Sequence, residues 1–260
     1  MQLVVDIGNT ETAVGLARTT TELAAHWRVS SSIRRTSDEL TVLLRALLEE
    51  DSIQESVVNQ GIIGSVVPSL NHVWEETLGK ITRGPVIILN PSLDLGIHLD
   101  VDEPLTVGAD RIANTIAATE LYGRDTIAVD LGTATTFDCI TGEGVFLGGV
   151  ISPGVSAGLD WLASRTAKLP RVELRPPGSV IGRRTETCMQ SGVFYQIVEA
   201  VDGVVGRIKE EWSKPDAYVV ATGGFANVIG PHLVTVDEIE PYLTLYGLAL
   251  AGEHVVDQGT

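Results

Sequence analysis

Leu3-Val-Val-Asp-Ile-Gly-Asn-Thr10 and Ile127-Ala-Val-Asp-Leu-Gly-Thr-Ala134 say nearly the same thing twice in one chain. Each is an apolar β run that ends in Asp, Gly and a hydroxyl-bearing stretch. Each then enters a second apolar run, Ala13 to Ala17 in the first case and Thr136 to Ile140 in the second, with no helical pattern between. Both units therefore read as strand, tight turn, strand. A dinucleotide or P-loop site would instead feed its glycine turn straight into a helix whose N-terminus holds the phosphate. The echo predicts an α/β chain of two similar halves, an N-terminal domain over residues 1–115 and a C-terminal domain over residues 116–260.

Helices fit between the strands. Thr36-Ser-Asp-Glu39 matches a capping box, and Leu40, Leu43, Leu44, Leu47 and Leu48 then fall on one face at helical spacing. A second helix opens at Gly108-Ala-Asp-Arg111 and closes at Gly123. A long third one carries Met189, Val193, Ile197, Val201, Val205, Ile208 and Trp212, an apolar stripe whose length leaves one side free for a subunit contact. No low-complexity linker interrupts the chain, so the domain boundary is expected in a structured hinge.

Composition narrows the function. With 44% hydrophobic residues in a chain of 260 there is enough apolar material for one large domain or two sharing a cleft. No apolar run approaches the roughly 18 residues that span a bilayer, and Asp6 arrives too early for a signal-peptide core, so a cytoplasmic protein with no membrane partner is expected. A formal charge of -16 repels phosphate backbones and argues against nucleic acid. Cys139 and Cys188 lack C-x-x-C spacing and read as reduced core thiols.

Asp6-Ile-Gly-Asn-Thr10 puts a carboxylate, a glycine and two polar side chains in one turn. Such a turn can present N–H groups to a phosphate while the carboxylate faces a cation. A single D-x-G-x-T would be read as an Asx-type turn between strands; a second copy at Asp130-Leu-Gly-Thr-Ala134 favours the phosphate reading. Val219-Val-Ala-Thr-Gly-Gly-Phe-Ala226 adds a third glycine-rich strand end, where a flat base or ribose can approach the backbone, or where a strand simply turns into a helix. In Gly108-Ala-Asp-Arg111, Asp110 can cap the helix beside a solvated Arg111. Alternatively Asp110 accepts a substrate hydroxyl proton and Arg111 holds a carboxylate or phosphate oxygen. Spacing leaves both open.

The succession D-I-G-N-T, G-A-D-R, D-L-G-T-A-T, G-G-V-I-S-P-G, T-A-K-L-P, T185-x-x-x-x-Q-S-G192 and A-T-G-G, in this order, resembles type III pantothenate kinase along nearly the whole chain. The resemblance implies two ribonuclease-H-like domains of the actin-like superfamily with a cleft between them, and a homodimer with active sites near the subunit interface. It implies ATP, Mg²⁺ and a monovalent cation, K⁺ or NH₄⁺. Carried over by position, Asp6, Ile7, Gly8, Asn9, Thr10, Thr12 and Ala13 would hold the ATP phosphates, with Asp6 also facing a metal ion, and Thr133 would contact the nucleotide. Asp130 matches the monovalent-cation ligand. Gly108, Ala109, Asp110 and Arg111 match the pantothenate segment, with Asp110 as proton acceptor, and Thr185 matches a threonine that reaches the partner subunit's substrate. Val101 stands in the same segment where the family usually has an aromatic, and Arg184 stands where asparagine commonly precedes the threonine. The expected reaction is phosphorylation of pantothenate. A kinase-like regulator that has lost catalysis, and a kinase of another small hydroxy acid, are the competing expectations.

Overall fold

The computed structural model describes residues 1–258. In chain order its elements are β1 (Gln2–Ile7), β2 (Glu11–Thr19), β3 (Glu22–Ser30), α1 (Ser37–Glu50), β4 (Gln60–Ser65), α2 (Pro68–Gly79), β5 (Val86–Ile88), β6 (His98–Leu99), α3 (Ala109–Tyr122), β7 (Thr126–Leu131), β8 (Ala134–Ile140), β9 (Val145–Pro153), α4 (Ala157–Arg165), α5 (Thr185–Trp212), β10 (Tyr218–Thr222), α6 (Ala226–Ile229), β11 (Glu238–Ile239) and α7 (Leu243–Gln258). They form two compact units that are not continuous in sequence. Among the described residues, one takes 1–123, 143–146 and 242–258; the other takes 124–142 and 147–241.

The first unit is a five-stranded sheet in the order β3-β2-β1-β4-β5. The echo's first copy is the antiparallel β1–β2 pair, and β1 also runs parallel to β4 with Asp6 opposite Gly64 and Ile7 opposite Ser65. Alternation along β1 sends Leu3, Val5 and Ile7 to one face, where they join Leu40, Leu44, Leu48, Trp74 and Leu78 of α1 and α2 in one buried cluster. The capping box predicted at Thr36 is formed: the Thr36 amide donates to Glu39 Oε2 at 2.7 Å and the Glu39 amide to Thr36 Oγ1 at 3.3 Å.

The opposite face is closed by α3 and α7. A Cβ on Gly64 would stand 2.8 Å from Leu248, one on Gly247 would collide with the Ala113 carbonyl, and Thr244 Oγ1 donates to Asn114 Oδ1 at 2.9 Å. The C-terminal helix thus returns to pack on the first sheet. α3 ends at Gly123 in the left-handed region, φ 55°, as a C-cap glycine should.

The second unit is built on β11-β10-β7-β8-β9, with the echo's second copy as the antiparallel β7–β8 pair. The opening residues of β9, Val145 and Phe146, belong to the first unit and pair in parallel with His98 and Leu99 of β6. α5, 28 residues long, lays Phe194, Val198, Val201 and Val205 on Ile127, Val129, Leu131 and Val219. Neither cysteine is in a disulfide, and only Cys139 is partly buried. Cys188 is exposed on the first turn of α5, which corrects the reading of both as core thiols. No helix of the described residues is long and apolar enough to cross a membrane.

Candidate active site

The first turn is held by its own backbone. The Gly8 amide donates to the Glu11 carbonyl at 3.1 Å, and a Cβ on Gly8 would lie 2.8 Å from that same oxygen, so glycine is what lets the chain fold back here. Asn9 and Thr10 are exposed at the tip, while the Ile7 side chain is fully buried in the core and has only backbone to offer a ligand. Thr12 is buried, and its hydroxyl shares a 2.8 Å hydrogen bond with that of Ser31. Asp6 is half-buried on the α3 and α7 face. Its cross-strand neighbours are Ala13 and Gly64, so no bulky side chain flanks the carboxylate on either strand.

The G-A-D-R segment starts α3 beside that turn. Val66, just past β4, donates its amide to the Ile7 carbonyl at 3.1 Å and would meet a Cβ on Gly108 at 3.4 Å, so Val66 bridges the end of β1 and the start of α3. The phosphate-type turn and the G-A-D-R segment therefore share the carboxyl end of parallel strands β1 and β4, the edge at which open α/β sheets place ligands. The N-cap is Gly108, and Asp110 is the second helical residue. Its Oδ1 accepts the Arg111 amide at 2.9 Å. Burial pushes the Asp110 carboxyl above its ordinary value, against the opposing pull of the Arg111 amide and guanidinium. A carboxylate displaced toward neutrality suits proton acceptance from an alcohol better than a fully solvated one. The Arg111 guanidinium lies 4.9 Å from the centroid of Phe146, whose carbonyl accepts the Asp100 amide at 2.9 Å. Val101, half-buried, follows directly.

In the second unit the Gly132 amide donates to the Ala134 carbonyl at 3.0 Å and closes the second turn, leaving Thr133 exposed at its tip. Asp130 is opposite Thr222 of β10 in register. Gly223 has φ 90°, and a Cβ there would collide with Asp130 Oδ1, so the carboxylate lies directly over the glycine. Gly154 of the G-V-I-S-P-G motif passes so close to the Thr133 carbonyl that it too leaves no room for a side chain. Thr185 is exposed as the first residue of α5. It lines an open cavity of about 760 Å³ together with Leu162, Leu169, Arg183, Arg184 and Met189.

Three contacts around these residues are not marked in the sequence. Phe146 and Val66 act through contacts between residues far apart in the chain, and the Ser31 hydroxyl meets Thr12 across 19 residues, so no local pattern marks them. Gly223, for which the sequence leaves open a base contact or a strand-to-helix turn, stands between β10 and α6 and has a packing reason beside Asp130.

Two sheets, each opened by an antiparallel pair around an Asp-x-Gly turn, give the two-unit α/β fold of the actin-like class. A Streptomyces griseus ROK family glucokinase, solved in complex with glucose and AMPPNP, superposes with a TM-score of 0.53 over 97% of this chain and 98% of its own, at 13% identity. A Campylobacter jejuni protein named for the Baf family of transcriptional activators gives a TM-score of 0.60 over 98% and 99% at 18% identity. At such identities the likeness is one of fold. The family model described as type III pantothenate kinase matches residues 2–207. The type III pantothenate kinase of Moorella thermoacetica is 41% identical over 97% of this chain and 99% of its own length. The chain belongs to the type III pantothenate kinase family.

Proposed function

We infer that the protein transfers the γ-phosphoryl group of ATP to the hydroxyl of pantothenate, giving 4′-phosphopantothenate, the first step of coenzyme A synthesis. The observation that carries this reading is the common placement of Asp6 and the Asp110 carboxyl at the carboxyl end of β1 and β4, bridged by Val66. In the reading, the backbone of Asp6, Ile7, Gly8, Asn9 and Thr10, continued by Thr12 and Ala13, receives the ATP phosphates. Asp110 takes the proton of the attacking hydroxyl, and Gly108, Ala109, Arg111 and Val101 line the pantothenate pocket. The stacked Arg111 is suited to the substrate carboxylate, because its planar fork is already oriented.

Asp6 has the hard oxygen donor that Mg²⁺ requires, at the end of β1 where the phosphate-type turn begins. Among the described residues no three His, Cys, Asp or Glu side chains gather to hold a metal, so the remaining ligands would come from phosphate oxygens and water. Bound there, Mg²⁺ would neutralise charge on the transferring group. Asp130 is proposed as the monovalent-cation ligand and Thr133 as a nucleotide contact. Thr185, on its exposed cavity rim, is proposed to complete the site of a second copy in a homodimer. Exposed Trp161 and Ile181 supply apolar surface on the same unit.

Purified protein incubated with ATP, Mg²⁺ and pantothenate, in K⁺ and separately in Na⁺, should yield ADP and phosphopantothenate by mass spectrometry. No ATP turnover in any condition would overturn the reading in favour of a silent regulator, and turnover with another hydroxy acid alone would reassign the substrate.

A further inference from the structure

The turn proposed to receive ATP has no positive charge of its own. Residues 6–13 carry Asp6 and Glu11 and no cation, whereas a polyphosphate needs positive charge around it. Arg28, on the adjoining strand, is engaged with Glu11 at 3.0 Å. The segment that leaves β3 is tied to the turn at two points: the Ser31 amide donates to the Thr10 carbonyl at 3.0 Å, and the Ser31 hydroxyl pairs with that of Thr12. At its far end the Thr36 capping box fixes the entry to α1. Between these anchors, half-buried Arg35 turns back and donates to the Ser30 carbonyl at 3.0 Å, which consumes one side of its guanidinium in holding the loop. Arg34, next to it, is exposed and makes no ion pair or hydrogen bond with the described residues.

We propose that the Ser30–Arg35 loop, tied to the turn through Ser31, is a second, basic wall of the phosphate site, in which Arg34 contacts the phosphates of bound ATP. This rests on the reading of the turn as an ATP site. The design separates two requirements that a P-loop merges. Backbone amides at a tight glycine turn fix where the phosphates lie, and a flexible cation from a neighbouring loop balances their charge. Its exposure leaves Arg34 hydrated until nucleotide arrives, so it contributes through charge and costs the free protein little.

The test is direct binding of ATP and of AMP, by calorimetry, to the wild-type protein, Arg34→Gln and Arg34→Lys, with melting temperatures on the same preparations. Arg34→Gln should weaken ATP on the order of tenfold, the scale of one charge-assisted contact, and leave AMP nearly unchanged. Arg34→Lys should recover much of the loss, melting temperatures should stay together, and ATP affinity should fall less steeply with added KCl in Arg34→Gln than in wild type. ATP bound equally well by wild type and Arg34→Gln would sink the proposal while leaving the kinase reading intact. Equal losses for ATP and AMP, or a loss tracking a lowered melting temperature, would make Arg34 structural and also overturn it. A wild-type protein that binds no ATP would defeat both.

Discussion

The Oδ1 atom of Asp110 fills the place that a side chain on Gly108 would need. The glycine two residues ahead of the proposed base is therefore part of what positions it. Gly108→Ala should push the carboxylate away from its seat or drive the helix start away from Val66. A displacement of about 1 Å at a reacting group can cost on the order of 10²-fold in rate. The expected outcome is a fall in kcat with ATP affinity retained, read from steady-state kinetics and a nucleotide titration on one preparation.

Asp110→Asn should separate stability from catalysis. Because burial raises this carboxyl in the folded protein, the ionised form that prevails near neutrality costs stability. The favourable contribution is complete only below the ordinary value of 3.8 and is lost as pH rises through the elevated folded value. The amide should therefore melt at or above the wild-type temperature at pH 7, with the gap closing in acid. Turnover should meanwhile drop on the order of 10²- to 10⁴-fold, since the amide accepts no proton. Near-wild-type kcat would return Asp110 to a purely structural role.

Activity should depend on K⁺ or NH₄⁺ if Asp130 holds a monovalent cation, and Asp130→Asn should reduce both the rate and that dependence. Gly223→Ala should do the same by displacing the Asp130 carboxylate and straining a backbone at φ 90°. Equal wild-type rates in K⁺, Na⁺ and a bulky organic cation would rule the assignment out.

Sedimentation should find a homodimer, and Thr185→Ala should raise the KM for pantothenate while leaving the ATP KM in place. Mixing Thr185→Ala with Asp110→Asn should restore some activity, because a two-fold dimer would contain one site with both wild-type residues. A fully active monomer would exclude the shared site.

The two Asp-x-Gly turns, the capping box at Thr36, the glycine stop at Gly123 and the long helix from Thr185 were all legible in the sequence. Each is set by interactions within a few residues, and apolar spacing of two or 3.6 reports directly which face is buried. The resemblance, likewise, rests on ordered local motifs. What escaped was settled by contacts with no periodicity. The tail from residue 242 joins the first unit because Gly247 lets α7 press against the Ala113 backbone, while Glu143–Phe146 crosses to pair with β6 and bring Phe146 beneath Arg111. The Ser31 hydroxyl finds Thr12 only once β2 and β3 are paired. The sequence by itself determined which turns could face a phosphate and where an acid would start a helix. Only the tertiary structure decided that Asp6 and Asp110 share one sheet edge, that burial raises the second of them, and that Arg34 stands on a loop tied to the turn. Proximity and desolvation are properties of packed neighbours, and no stretch of chain carries them alone.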